Sequence, residues 1–247
     1  MLELTKIILF KECLLPLYSH MIQAVRDECI GYETAKFCVQ WGKEFPADEN
    51  EGILFYGRAN NGWVTSSDSV EELFAEGDEE CIFARENQMA WMEDDETESG
   101  YRPSRSALIR TMRNVASEYY VDWSSHVAWS NLYKIAPWEG GNPNDELCDA
   151  EYEDCVEIMR EELTFLSPRV VVMLTGYHWA KDFLVSMNAG QEPKYIDKEV
   201  WGDYEAWAYR IDGRLFVVSE HPQGKPEAVH AEAIVNLIER NNNNLKS

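Results

Sequence analysis

ELTFLSPRVVVMLTGYHWA, residues 162–180, carries three signals in a row. A helical stretch breaks at Ser167-Pro168, an all-apolar run follows from Val170 to Leu174, and Thr175-Gly176 opens a second helix. Proline removes a backbone donor and restrains the residue before it, so a helix stops there. A strand with no polar position is covered on both faces, as parallel strands are. Helix, doubly buried strand and helix together predict an α/β fold.

The rest of the chain repeats the alternation. Ile53 to Tyr56 is a short buried strand, and residues 127–135 are predicted as another, ending in WSNLYKI. Asp212-Gly213 between two apolar segments, 207–211 and 215–218, is a hairpin signal. Helices are expected over 4–42, 104–120 (with Ser104 as N-cap), 149–166, 176–184 and 226–240. Residues 66–99 form an acidic excursion with a short helix at 69–75, anchored by Ile82, Phe83, Met89 and Trp91. The expected architecture is a three-layer α/β sandwich with a mostly parallel central sheet and helices on both faces. One domain is expected over 1–247, with an N-terminal helical extension at 1–50 and an acidic insertion at 66–100.

Composition narrows the classes of function. The apolar share of 45% and nine Trp residues belong to a folded chain. The first fifteen residues are interrupted by Glu3, Lys6, Lys11 and Glu12, and no run reaches membrane-spanning length, so a cytoplasmic protein without membrane contact is expected. Six scattered cysteines include no CxxC pair, which predicts reduced thiols and no metal or other cofactor. The net charge of −23 opposes general phosphate binding. That charge is uneven: YRPSRSALIRTMRN, from Tyr101, carries Arg102, Arg105, Arg110 and Arg113 with no acid. These arginines either hold a phosphate backbone or pair with the acidic belt before them.

Three polar clusters fall at predicted strand ends: Gly57 to Asn61, Asn131 to Lys134, and His221 to Lys225. Carboxyl ends of strands in open α/β sheets are where ligands bind. SNLYKIAP, ELTFLSPRVVVMLTGYHWA and VVSEHPQGK stand in an order and spacing that resembles the uracil-DNA glycosylase superfamily over residues 52–238. The resemblance implies an enzyme that flips a base out of DNA and cuts its glycosidic bond without a cofactor. It implies that His221 donates to the departing base and that Asn131 reads the base edge. Gly57, Arg58 and Ala59 become the pocket floor, Trp63, Phe83 and Trp91 candidates for stacking on the base, and Gln223, Gly224 and Lys225 a loop probing the minor groove. Arg102, Arg105 and Lys134 are the expected contacts to DNA.

The opening motif departs from the family. Relatives carry Asp or Asn two residues after the glycine, then Pro; this chain has Ala59 and Asn60. Water positioning therefore falls to Asn60 or Asn61, with Asp94 and Asp95 as outside candidates. In uracil enzymes a Tyr four residues after that glycine refuses 5-substituted pyrimidines; Asn61 aligns there. The resemblance then implies a wider pocket, suited to hydroxymethylated or sugar-bearing pyrimidines of phage DNA and to a role in defence. A conventional uracil-repair enzyme, a non-catalytic binder of the same fold and an acidic mimic of DNA are the alternatives.

Overall fold

In the computed structural model the described residues are 4–29, 31, 33–45, 52–61, 65–75, 81–83, 89–97 and 100–241. The chain opens with α1 (Leu4–Glu28), followed by β1 (Thr34–Lys36), β2 (Gln40–Trp41) and β3 (Ile53–Gly57). After α2 (Val70–Leu73), two 3-10 turns at Ala90–Glu93 and Pro103–Arg105 lead into α3 (Ala107–Ala116) and α4 (Trp123–His126). Next come β4 (Val127–Asn131), β5 (Ile135–Pro137), α5 (Asp145–Leu166), β6 (Val170–Leu174) and α6 (Tyr177–Met187). The meander β7 (Tyr195–Trp201), β8 (Tyr204–Ile211) and β9 (Arg214–Ser219) precedes α7 (Glu227–Asn241). Among the described residues no helix is long and apolar enough to cross a membrane.

The main sheet runs β2-β4-β3-β6-β9-β8-β7, and β1 pairs separately with β5. Its four central strands are mutually parallel, while β2, β8 and β7 join antiparallel. The fold is thus mixed α/β, and the sheet is parallel only at its centre. Alternation along the central strands splits the core in two. Leu54, Tyr56, Val171 and Met173 face α1, α5 and α6; Ile53, Phe55, Val170 and Val172 face α3 and α7.

Several boundaries correct the sequence reading. The expected helix over 4–42 ends at Glu28, and residues 34–41 supply two strands that cap the sheet edge and the small second sheet. The N-terminal segment is therefore woven into the fold and is no helical extension. Strand 127–135 is broken, because Lys134 and Ile135 turn their N–H groups onto the Glu151 carboxylate at 2.9 and 2.8 Å. The N-cap of α3 is Ser106, whose hydroxyl accepts from Ile109 N–H, because Pro103–Arg105 takes a 3-10 turn first. The stop after α5 is as expected: Ser167 adopts φ 43°, and Pro168 follows.

Candidate functional site at the carboxyl edge of the parallel strands

Chain order makes a topological switch point at one place. From β3 the chain passes through α3, on one face, to β4; it then returns through α5, on the other face, to β6 on the far side of β3. Loops leaving β3 and β6 therefore diverge, which is the switch point where open α/β sheets hold ligands. Register brings the ends level: Gly57 lies opposite Asn131, and Leu174 opposite Ser219.

On the β3–β4 side, Asn131 is fully buried, and a Cβ on Gly57 would stand 2.4 Å from its Oδ1. Only glycine lets that amide lie against the neighbouring strand. Asn60, in the loop after β3, is 2% exposed. Among the described residues neither amide atom of Asn60 or of Asn131 has a hydrogen-bond partner. A buried polar group left unpaired costs on the order of 1–3 kcal/mol, so two orphaned amides at one sheet edge call for a ligand or ordered water. Gly57→Ala is expected to keep the fold while displacing the Asn131 amide. In ¹⁵N-labelled protein the Asn131 side-chain amide cross-peaks should shift in the variant; unmoved peaks would mean that Gly57 does not set the position of that amide.

The β6–β9 side meets it through Arg58. Its Nε donates to the Thr175 carbonyl at 2.7 Å, and its guanidinium lies 5.3 Å from the Trp179 ring centre. Gly176, at φ 81°, takes the left-handed backbone that opens α6 beside Arg58 and Glu220. His221 follows Glu220. Burial, then the charges of Arg58 and Lys225, push its pKa down to about 4, so the imidazole is neutral at pH 7. Its Nδ1 accepts from Gln223 N–H at 3.4 Å, which leaves the proton on Nε2. Behind it His230 stacks on Trp201 and contacts Ser219 Oγ at 2.8 Å, its pKa also lowered to about 4, chiefly by burial.

The structure thus brings Gly57, Arg58, Asn60, Asn131 and His221 to one edge, and moves other predicted residues away from it. Lys134 is wholly buried, with Nζ bonded to Ser130 Oγ, the Asn131 carbonyl and Glu162, so it cannot contact DNA. Asn61 is exposed and its Oδ1 accepts from Gly141 N–H at 3.0 Å, a loop-to-loop tie that takes it out of the catalytic set. Phe83 belongs to the aromatic core with Phe10, Trp41 and Phe74, on the face opposite Asn131. Asp94 and Asp95 are exposed. Trp91 is half-buried against Trp129, two residues before Asn131 on the same face, and against Tyr101. Trp63 lies outside the described residues. Ala59 is half-buried in the Arg58–Asn60 loop.

The cationic candidates are mostly engaged. Lys225 Nζ donates to the His221 carbonyl at 3.0 Å and faces Glu220 at 3.8 Å, bracing its own loop; Gln223 and Gly224 are exposed at the tip. Arg102 pairs with Glu96 and Arg113 with Glu93, which bears out the belt-pairing reading for these two, whereas Arg110 pairs with Glu227 of α7, outside the belt. Arg105 is exposed, one turn before α3, whose Leu108 packs near Gly57. The described residues hold no group of three or more His, Cys, Asp or Glu placed to bind a metal. Sequence reasoning missed Glu162, Glu151 and Glu220. The first two had a signal, since both sit within the apolar stripe Leu147, Glu151, Cys155, Ile158, Glu162 and Leu166 of α5.

A scan against protein-family models finds none that matches the chain, and no curated protein sequence matches it.

Proposed function

We propose that this protein is a DNA glycosylase that hydrolyses the N-glycosidic bond of a flipped, modified pyrimidine, on a fold of the uracil-DNA-glycosylase type. The observation that carries the reading is the pair of buried, unpartnered amides of Asn60 and Asn131 at the same sheet edge as a neutral His221. A planar base edge alternates donors and acceptors, and an amide offers one of each. Flipping delivers that edge into a pocket at the cost of unstacking.

The chemistry follows from those groups. The bond from the sugar C1′ to the base nitrogen breaks with its electron pair leaving on the base, and C1′ becomes oxocarbenium-like. Negative charge gathers on a base oxygen, where the Nε2–H of His221 donates most strongly in the transition state. Asn60 orients water through its amide oxygen. The water oxygen bonds to C1′, its proton passes to solvent, and the base takes up a proton. An amide is no general base, so catalysis rests mainly on the leaving group.

Asn61 stands where relatives place a wall against 5-substituents, and here its side chain is turned to Gly141. A side chain tied there builds no wall against a 5-substituent, so the reading favours hydroxymethylated or sugar-bearing cytosines and a role in defence against phage DNA. The test is alkali-induced strand cleavage after incubation with DNA carrying uracil, 5-hydroxymethylcytosine, glucosylated 5-hydroxymethylcytosine or no modification. Cleavage at the substituted bases is expected. Strong uracil activity with none on substituted bases would return the protein to conventional repair. A second reading, a base binder without catalysis, is favoured by Ala59 at the family's water-activating position. Binding to modified DNA with no cleavage of any substrate would establish it.

Arg105→Glu is expected to weaken DNA affinity and to lower the salt-dependence slope by about 1, with the rate at saturating DNA unchanged. Unaltered affinity and slope in a binding titration would place the backbone path elsewhere.

A further inference from the structure

Directly under the Gly57–Asn131 edge, on the opposite face of the sheet, lies a buried ionic knot. Lys134 Nζ donates to Glu162 Oε1 (2.8 Å), Ser130 Oγ (2.7 Å) and the Asn131 carbonyl (2.6 Å), which uses all three of its protons. Glu162 also accepts from Tyr56 Oη on Oε2 (2.6 Å) and from Ser130 Oγ on Oε1 (2.9 Å). Both charged side chains are 0% exposed.

The placement of these partners matters more than their number. Tyr56 and Ser130 are cross-strand neighbours, and the next pair along the same two strands is Gly57 and Asn131. The knot therefore clamps β3 to β4 one residue before the site, from the face the site does not use. Asn131 has no partner for its amide among the described residues, so only its backbone and the Gly57 contact aim it. Its carbonyl is one of the three groups that Lys134 holds. Glu151 adds a second restraint, taking Lys134 N–H and Ile135 N–H on one carboxylate oxygen; this breaks the strand and turns Lys134 inward. Burial pushes the Glu151 pKa up to about 8 even against those donors.

Stability does not account for such a knot. Desolvating two charges offsets most of their attraction, and well-packed apolar replacements are often neutral or stabilising. We propose that Lys134 and Glu162 are positioning residues, holding the Asn131 backbone so that its amide meets the base edge in one orientation. The proposal rests on the base-reading role given above to Asn131.

The test uses Lys134→Met with Glu162→Leu together, which removes both charges and leaves neither unpaired. Two readouts are needed. The first is the side-chain Nδ2H₂ cross-peak pair of Asn131 in ¹⁵N-labelled protein, identified by its loss in Asn131→Ala. In the folded double variant this pair is expected to shift or split; an unmoved pair overturns the proposal. The second is single-turnover base release, expected to fall about 10- to 100-fold at saturating DNA with half-saturation within about twofold. In an Asn131→Ala background the same two substitutions should change the rate by less than about twofold, since groups acting as a unit are not additive. Fully additive losses would show a merely structural role. Ser130→Ala, which keeps the ion pair, serves if the double variant fails to fold: the same cross-peaks should move by less, and unmoved peaks would overturn the proposal. If the wild-type protein releases no base at all, the enzyme reading falls while the cross-peaks still decide the positioning.

Discussion

His221→Ala is expected to lower the rate of base release by about 10²- to 10³-fold at saturating DNA, the scale for removing one transition-state donor. The loop position should leave the fold intact, so the melting temperature serves as the control. The same residue predicts a pH profile. With a folded pKa of about 4, His221 stays neutral, with Nδ1 accepting from Gln223, across the physiological range. Base release should be flat from pH 8 to about 5 and fall near 4, where a proton on Nδ1 would oppose the Gln223 N–H. An apparent pKa near 6.5 would show that the imidazole is solvated and unrestrained. Stability follows the same direction. His221 and His230 both bind protons more readily unfolded, at about 6.5, than folded, at about 4. Their contribution is complete above 6.5 and is lost as pH falls toward 4.

Lys134→Met alone is expected to be among the most destabilising single changes in the chain. It strips the Glu162 carboxylate of its counter-charge in a site with no solvent exposure. Removing one partner of a buried pair costs about 3–5 kcal/mol. For a chain of this size that lowers the melting temperature by roughly 6–20 °C. Adding Glu162→Leu should recover most of the loss, because the isolated charge goes with it. A single variant that melts within about 2 °C of wild type would mean that water or another group reaches Glu162.

The centre of the fold was legible because its signals are local. Val170–Leu174 has no polar position, Ser167-Pro168 ends a helix, and Asp212-Gly213 turns a hairpin; each needs only near neighbours to act. The edges were not. Residues 34–41 follow a helix and mix apolar residues with Thr34, Lys36 and Gln40, and only pairing with β5 and β4 makes 34–36 and 40–41 strands. β7 has three charged residues in a row, Asp197 to Glu199, and no strand alternation, so its strand character comes from pairing with β8.

The site divides the same way. Asn131 and His221 could be found because motifs mark strand ends. Lys134 was read as a cationic DNA contact because its partner, Glu162, is 28 residues away on another element. Asn61 was assigned to the pocket by alignment, whereas its orientation is decided by the Gly141 backbone on a distant loop. The glutamates within the apolar stripe of α5 were the readable clue: an acid on a buried face requires a cation or several donors.

Identification of the released base tests the central claim most directly. DNA carrying glucosylated 5-hydroxymethylcytosine is incubated with the wild-type protein, and the small-molecule fraction is analysed by mass spectrometry. The account predicts the intact modified base, sugar still attached, in step with the appearance of abasic sites, and its loss in both Asn131→Ala and His221→Ala. Undamaged DNA with no free base, or release that persists in both variants, would contradict it.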